Sequence, residues 1–184
     1  MLRCNLRVVL AEMKQTASKI SKDTGISRVT LGALINNQAK GVQFDTINTL
    51  CTYLGVEPGR LFSFAPFEIA VENVSIASGE VMLRIDDAGR EIACSIPADI
   101  HVETNNFERW KVPTAIFIDL CTEETRETEL FMRYYRGLSQ DLKTHVLDMI
   151  ENATLTAVEE ELPSDFPDGI IEAVQIESRV CGNV

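Results

Sequence analysis

Chemistry that makes and breaks bonds leaves local signatures, and the candidates for it here are few. His101 and His145 stand apart, with no H-E-x-x-H spacing and no second histidine one helical turn away. Cys4, Cys51, Cys94, Cys121 and Cys181 are scattered, without a C-x-x-C pair. Disulfide frameworks and zinc sites need convergent sulfurs, so free thiols in a reducing cytoplasm are expected. A serine nucleophile activated by lysine needs that lysine beside it with a depressed pKa, and residues 65–184 hold only Lys111 and Lys143. The run Glu159-Glu160-Glu161 reads as a solvated helix end. The expectation is no catalytic residue, no metal and no cofactor. One stretch does offer chemistry, of recognition rather than reaction: Ser27-Arg28-Val29-Thr30, then Gly32 and Ala33, then Asn36, Asn37 and Lys40. A guanidinium, hydroxyls, a branched methyl pair and side-chain amides on one short helix and its following turn form a surface that can hydrogen-bond.

Those residues need elements to hold them. Two short helices crossing at a steep angle require a small residue at the crossing, a glycine turn with φ > 0, and apolar residues pinning the second helix to the first. Ser21, Gly25 and Ile26 fit the first requirements, and Leu31 and Leu34 the last. Ser27 is placed to cap the second helix. Around this pair, Leu6, Val9, Leu10 and Met13 define an earlier helix, and Ala17, Ile20, Ser21 and Thr24 give the first of the pair. Residues 36–41 form a turn. Ile47, Leu50, Cys51 and Leu54 mark a fourth helix closed by Gly55, and Pro58 opens a short fifth through Leu61 and Phe62. Residues 1–64 are therefore expected to be an all-α, five-helix domain.

After Ala65-Pro66 the apolar period falls from 3.6 to 2. Phe67, Ile69 and Val71 alternate; Val81, Leu83 and Ile85 alternate before Asp86-Asp87-Ala88-Gly89, and Ile92, Cys94 and Ile96 after it, predicting a hairpin. Ile100 and Val102 suggest a further strand and residues 115–120 a buried one. Helical spacing returns at Leu130, Phe131, Tyr134, Tyr135 and Leu138, and again from Leu142 to Ala153, running on toward Pro163. Residues 171–176 suggest a last strand. Residues 66–184 are thus expected to form a separate α+β domain, antiparallel strands first and helices after.

Charge separates the same two segments. The net charge is −11, but residues 1–64 carry eight Lys/Arg against four Asp/Glu, +4, whereas 65–184 carry nine against twenty-four, −15. A basic module joined to an acidic one is itself a functional signal. With 45% hydrophobic residues the chain can bury a core, and no apolar run approaches the roughly 18 residues of a membrane span. A basic secretory leader is not evident at the start, so a cytoplasmic protein is expected.

The stretch Lys22-Asp23-Thr24-Gly25-Ile26-Ser27-Arg28-Val29-Thr30-Leu31, and then residues 46–62 from Thr46 to Phe62, resemble the phage Cro and phage-repressor type of helix-turn-helix domain, the xenobiotic-response-element family. The likeness covers residues 5–62. It implies that the helix after Gly25 enters a DNA major groove, with Ser27, Arg28 and Val29 at its exposed start. Arg28 then either donates two hydrogen bonds to guanine, or holds a phosphate or stands as a solvated charge. Val29 either meets a thymine methyl or covers the helix, and Thr30 bonds either a phosphate or its own backbone. Gly32 and Ala33 occupy the next outward positions, where the family often has longer polar residues; neither reads a base edge by a side-chain hydrogen bond. Ala17 stands where many members have a phosphate-binding glutamine, leaving Gln15 or Thr16 as substitutes. Asn36, Asn37 and Lys40 are phosphate binders or an ordinary polar turn.

The resemblance implies a DNA-binding transcriptional regulator, a repressor of phage or mobile-element origin, whose partner is a double-stranded operator. One such unit reads few bases, so a homodimer is expected, with the acidic domain serving self-association, a protein partner or a small effector. The alternative is an antitoxin-like module whose acidic domain binds a basic protein.

Overall fold

The computed structural model describes residues 1–107, 110–121, 125–161 and 175–181. The chain divides into two compact units, Met1–Ala65 and Pro66–Val184.

In the first unit, strand β1 (Leu2–Cys4) precedes helices α1 (Leu6–Glu12), α2 (Ala17–Thr24), α3 (Arg28–Ile35), α4 (Phe44–Leu54) and α5 (Pro58–Leu61), and strand β2 (Phe62–Phe64) ends it. The expectation of a purely helical domain is corrected here: β1 and β2 pair antiparallel, Leu2 opposite Phe64 and Cys4 opposite Phe62. Each strand has three residues, too few to show a period of 2 in the sequence. The core comprises Leu6, Val9, Leu10, Ile20, Leu31, Leu34, Leu50, Leu54 and Leu61, with Ile26, Ile35 and Cys51 packed at its margin. Every helix thus turns its periodic apolar stripe inward, as amphipathic spacing requires.

The α2–α3 corner depends on local chemistry. Thr16 caps α2 by accepting from the Lys19 N–H. Gly25 ends it at φ 77°, with its N–H donating to the Ser21 carbonyl (3.0 Å). The Thr24 hydroxyl donates to the Ile20 carbonyl (2.7 Å) and accepts from the Ile26 N–H (3.3 Å), stiffening the turn. Ser27 caps α3, its Oγ accepting from the Thr30 N–H at 3.0 Å.

The second unit holds strands β3 (Phe67–Ser75), β4 (Glu80–Asp87), β5 (Arg90–Phe107) and β6 (Trp110–Cys121), then helices α6 (Arg126–Arg136) and α7 (Gln140–Glu160), then strand β7 (Gln175–Cys181). The sheet runs β3-β4-β5-β6-β7. Ala88 (φ 53°) and Gly89 (φ 86°) form the two-residue turn of the β4–β5 hairpin, with both residues in the left-handed region that such turns favour. The sequence splits β5 in two, but it is one strand that changes neighbour: it pairs with β4 through Pro97 and with β6 from Ala98. Proline lacks the N–H that a continuous ladder would use, so it sits where one ladder ends. The all-antiparallel expectation is corrected too. β7 follows the helices and lies parallel to β6, Ala115 opposite Gln175 and Cys121 opposite Cys181. Residues 171–174 of the expected last strand, and Pro163, lie outside the described residues.

Ile69, Val81, Leu83, Ile85, Cys94, Ile96, Ile118 and Leu120 are buried in the sheet, and α6 and α7 pack on it with Phe131, Tyr135, Leu142, Val146, Ile150 and Val158 buried. Thr125 and Thr128 cap α6 reciprocally. The Tyr134 hydroxyl donates to Asp87 (2.9 Å), and its ring meets Phe67 edge-on at 4.9 Å. No described helix is long and apolar enough to cross a membrane.

Two predictions follow from this packing. Burial pushes the Cys94 thiol up to about 11, with Glu127 adding to it, so Cys94 should resist alkylation at neutral pH until the unit unfolds, while the half-buried Cys121 labels before it; mass mapping of partially labelled native protein decides this. The second contrasts two glycines that both have open space where a Cβ would stand. Gly25→Ala should destabilise by about 1–2 kcal/mol, because its φ is left-handed, whereas Gly32→Ala, inside α3, should stabilise by about 0.5–1 kcal/mol. Denaturant midpoints showing equal effects would contradict the corner geometry.

Candidate nucleic-acid interface

Leu31 and Leu34 point into the core and Ile35 packs at its margin, so Arg28, Val29, Gly32 and Ala33 face outward by helical geometry. Arg28, Gly32 and Asn36 fall on one line at i, i+4 and i+8; Val29 and Ala33 form the line beside it. Ser27, Arg28, Val29, Asn36 and Lys40 are exposed, and Thr30, Gly32, Ala33 and Asn37 are half-buried. Val29 is 83% exposed and Phe44, at the start of α4, 88%, the two most open large apolar side chains among the described residues.

Polar partners divide the expected site residues into two groups. The side chains of Arg28 and Lys40 make no hydrogen bond or ion pair among the described residues, and neither do those of Lys14, Lys19 and Lys22. The acids of this unit are partly spent elsewhere: Arg60 bonds Glu12, and the Tyr53 hydroxyl donates to Asp23 at 2.6 Å. That bond, with Asp23 beside it, pushes the Tyr53 phenol above its ordinary range and ties α4 to α2. The second group is engaged within the protein. Ser27 and Thr30 share a hydroxyl–hydroxyl bond of 2.8 Å besides the helix cap. Asn36 Oδ1 accepts from Arg7 Nη2 (2.7 Å). Asn37 commits both ends of its amide to one residue, Oδ1 accepting from the Cys4 N–H at 2.6 Å and Nδ2 donating to the Cys4 carbonyl at 3.0 Å.

The two suggested substitutes for a phosphate-binding glutamine also part company. Thr16 lies exposed at the α2 cap, while the Gln15 side-chain oxygen is buried without a hydrogen-bond partner among the described residues. Sequence reasoning passed over Phe44, Tyr53 and Arg7. Phe44 stands one turn before Ile47 and reads as part of the apolar stripe of α4, but the helix begins there and leaves the ring outside. Among the described residues no group of histidine, cysteine and carboxylate side chains could hold a metal ion.

The arrangement offers a helix with a rigid inner face, an outer face bearing one free guanidinium and one free apolar side chain, and four unpaired lysines on the same small unit. Such a unit can neutralise phosphates while placing a few side chains against base edges. Comparison with known proteins identifies the unit. A family profile described as the Cro/C1-type HTH DNA-binding domain matches residues 5–66. The chain is 30% identical over 60 residues to the uncharacterized HTH-type transcriptional regulator YozG of Bacillus subtilis (strain 168), covering 33% of this chain and 71% of YozG. It also matches the crystal structure of a candidate DNA-binding protein from Bacteroides fragilis at 26% identity and a TM-score of 0.31, over 34% of this chain and 98% of that one. Through residues 5–66 the chain belongs to the Cro/C1-type helix-turn-helix DNA-binding family.

Proposed function

We propose that the chain is a sequence-specific transcriptional repressor of phage or mobile-element origin, acting in the cytoplasm as a homodimer on a two-fold operator. One observation carries the reading: the outer face of α3 is exposed and its Arg28 is uncompensated, while the inner face is fixed in the core. Family membership and the transcriptional-regulator relative support it. Arg28 reads guanine by two hydrogen bonds, Val29 meets a thymine methyl, and Lys40 neutralises a phosphate. Gly32 and Ala33 let the helix backbone approach the bases, and Ser27, Thr30 and Asn36 line the rim of the contact. A surface with so few readers gains selectivity by pairing, which doubles the bases read. Residues 66–184 supply that pairing, and their acidic surface is also where a basic protein or a small effector would bind.

Selection of bound sequences from random DNA by the full chain tests the reading. Binding should weaken steeply with salt, with a log–log slope of about −0.9 per phosphate neutralised; no binding at low salt would overturn it. With the selected operator in hand, Arg28→Ala should lose roughly 1–3 kcal/mol per half-site and relax preference at one base position. Lys40→Ala should weaken all sequences alike and shrink the salt slope by about one per site. A uniform loss from Arg28→Ala would remove the base-reading role and leave the domain assignment intact. Light scattering should give a dimer for the full chain. A monomer that binds one half-site as tightly as two would contradict the pairing.

A further inference from the structure

We propose that Asn37 is the positioning residue of α3: its amide fastens the end of that helix to the β1–β2 ribbon and so sets the angle at which Arg28 and Val29 are presented. The inference rests on the reading of α3 as the DNA-reading helix.

The backbone of Asn37 is part of the helix end. Its N–H donates to the Leu34 carbonyl (3.2 Å), and the Gln38 N–H reaches back to the Ala33 carbonyl (2.8 Å). This pair of bonds closes a helix only when the residue between them is left-handed, and Asn37 has φ 54°. Asparagine is among the few residues other than glycine that tolerate this. Asn37 therefore cannot move without moving the last turn of α3.

The side chain is held as firmly at its other end. Within the ribbon, Met1 O accepts from the Ala65 N–H and the Asn5 N–H donates to Leu61 O, both across the pair. The hydrogen-bonded positions alternate along an antiparallel ladder, so the N–H and carbonyl of Cys4 point away from β2. The Asn37 amide meets both, at 2.6 Å and 3.0 Å, and stands where a neighbouring strand would be. The ribbon it grips is itself locked, by strand pairing and by the buried bond from Asn5 Nδ2 to Ser63 Oγ (2.8 Å). A hydrogen-bonded line thus runs from the end of α3 through Asn37 and Cys4 into β1 and β2. Leu31 and Leu34 fix which face of the helix looks outward. The exposed Arg7–Asn36 bond and the part-buried Asn37 clamp both hold the far end, and the clamp, with two bonds to backbone, restrains its tilt the more.

This placement also accounts for the amide better than a phosphate contact does. Both of its polar atoms are already satisfied, and a phosphate would have to break one of two partly buried bonds.

The left-handed φ supplies the clean variant. Asn37→Gly keeps the backbone unstrained and removes the clamp. Asn37→Asp keeps the shape but faces the Cys4 carbonyl with an acceptor. The full-length chain and both variants are compared by amide hydrogen exchange and by binding to the operator selected from random DNA and to its single-base variants. The expected result is faster exchange at the Cys4 N–H in Asn37→Gly with Leu31 still protected, and in both variants a roughly tenfold loss of discrimination between the operator and its single-base variants, on the order of one lost bidentate contact. Unchanged Cys4 exchange in Asn37→Gly would show that the clamp is not formed. Faster exchange with discrimination intact would show that it does not position the helix, and an equal loss on every sequence would make Asn37 a phosphate contact; each result overturns the proposal. Should the wild type select no DNA, the reading of α3 falls and the proposal with it, an outcome distinct from a binding wild type with unaffected variants.

Discussion

Burial of Leu31 and Leu34 in the first unit is the constraint on which its surface depends. Both sit in the cluster with Ile20, Leu50 and Leu61, and a fully buried leucine contributes about 1.5–3 kcal/mol over an exposed one. Rotating α3 by one residue position would lift one or both leucines into water and drive Arg28 or Val29 inward. The guanidinium would then lose its hydration with no carboxylate to meet it, which costs more than the leucines do. The outward placement of Arg28 is thus a consequence of the core, and it would hold whatever residue stood at position 28. The residues on such a face can change without disturbing the fold.

Electrostatics adds a second layer that contributes little to stability. The exposed pairs, Arg60 with Glu12 and Arg84 with Glu72 and Glu91, lie on the surface, where such pairs stabilise weakly. Their effect is on the field. In the first unit, pairing uses Glu12 and Asp23 and leaves Lys14, Lys19, Lys22, Arg28 and Lys40 uncompensated. In the second unit, Arg84 is absorbed by two acids, and Glu80 and Asp99 lie at the exposed surface. A polyanion is attracted to the first field and repelled by the second, which confines its approach to the helical unit despite the net charge of −11.

How much of this was legible in the sequence follows the range of each interaction. The helix stripes, the Gly25 corner, the Ser27 cap and the Ala88-Gly89 hairpin are local, each decided within about a turn of chain, and all are readable. The β1–β2 ribbon joins residues some sixty positions apart through strands of three residues, and neither strand is long enough to carry a pattern. The parallel seat of β7 beside β6 is likewise a matter of long-range pairing. The division of β5 at Pro97 has a different cause. It marks a change of neighbour within one strand, and in sequence that looks the same as the end of a strand.

The site divides along the same line. Exposure of Ser27, Arg28 and Val29 follows from spacing alone, since the inward leucines fix the outward positions. What each polar side chain bonds does not. Asn36, Asn37 and Lys40 look alike in sequence, three polar residues in one turn, yet one bonds Arg7, one grips the Cys4 backbone, and one is free. The difference lies in the left-handed φ of Asn37, which turns its side chain back toward the fold and sets it apart from the residue before it. An amide in a helix-ending turn carries two roles at once, relieving backbone strain and supplying a donor and an acceptor. Where an unpaired strand edge lies within reach, the second role is taken up inside the protein, and the free charges nearby are left to meet the partner.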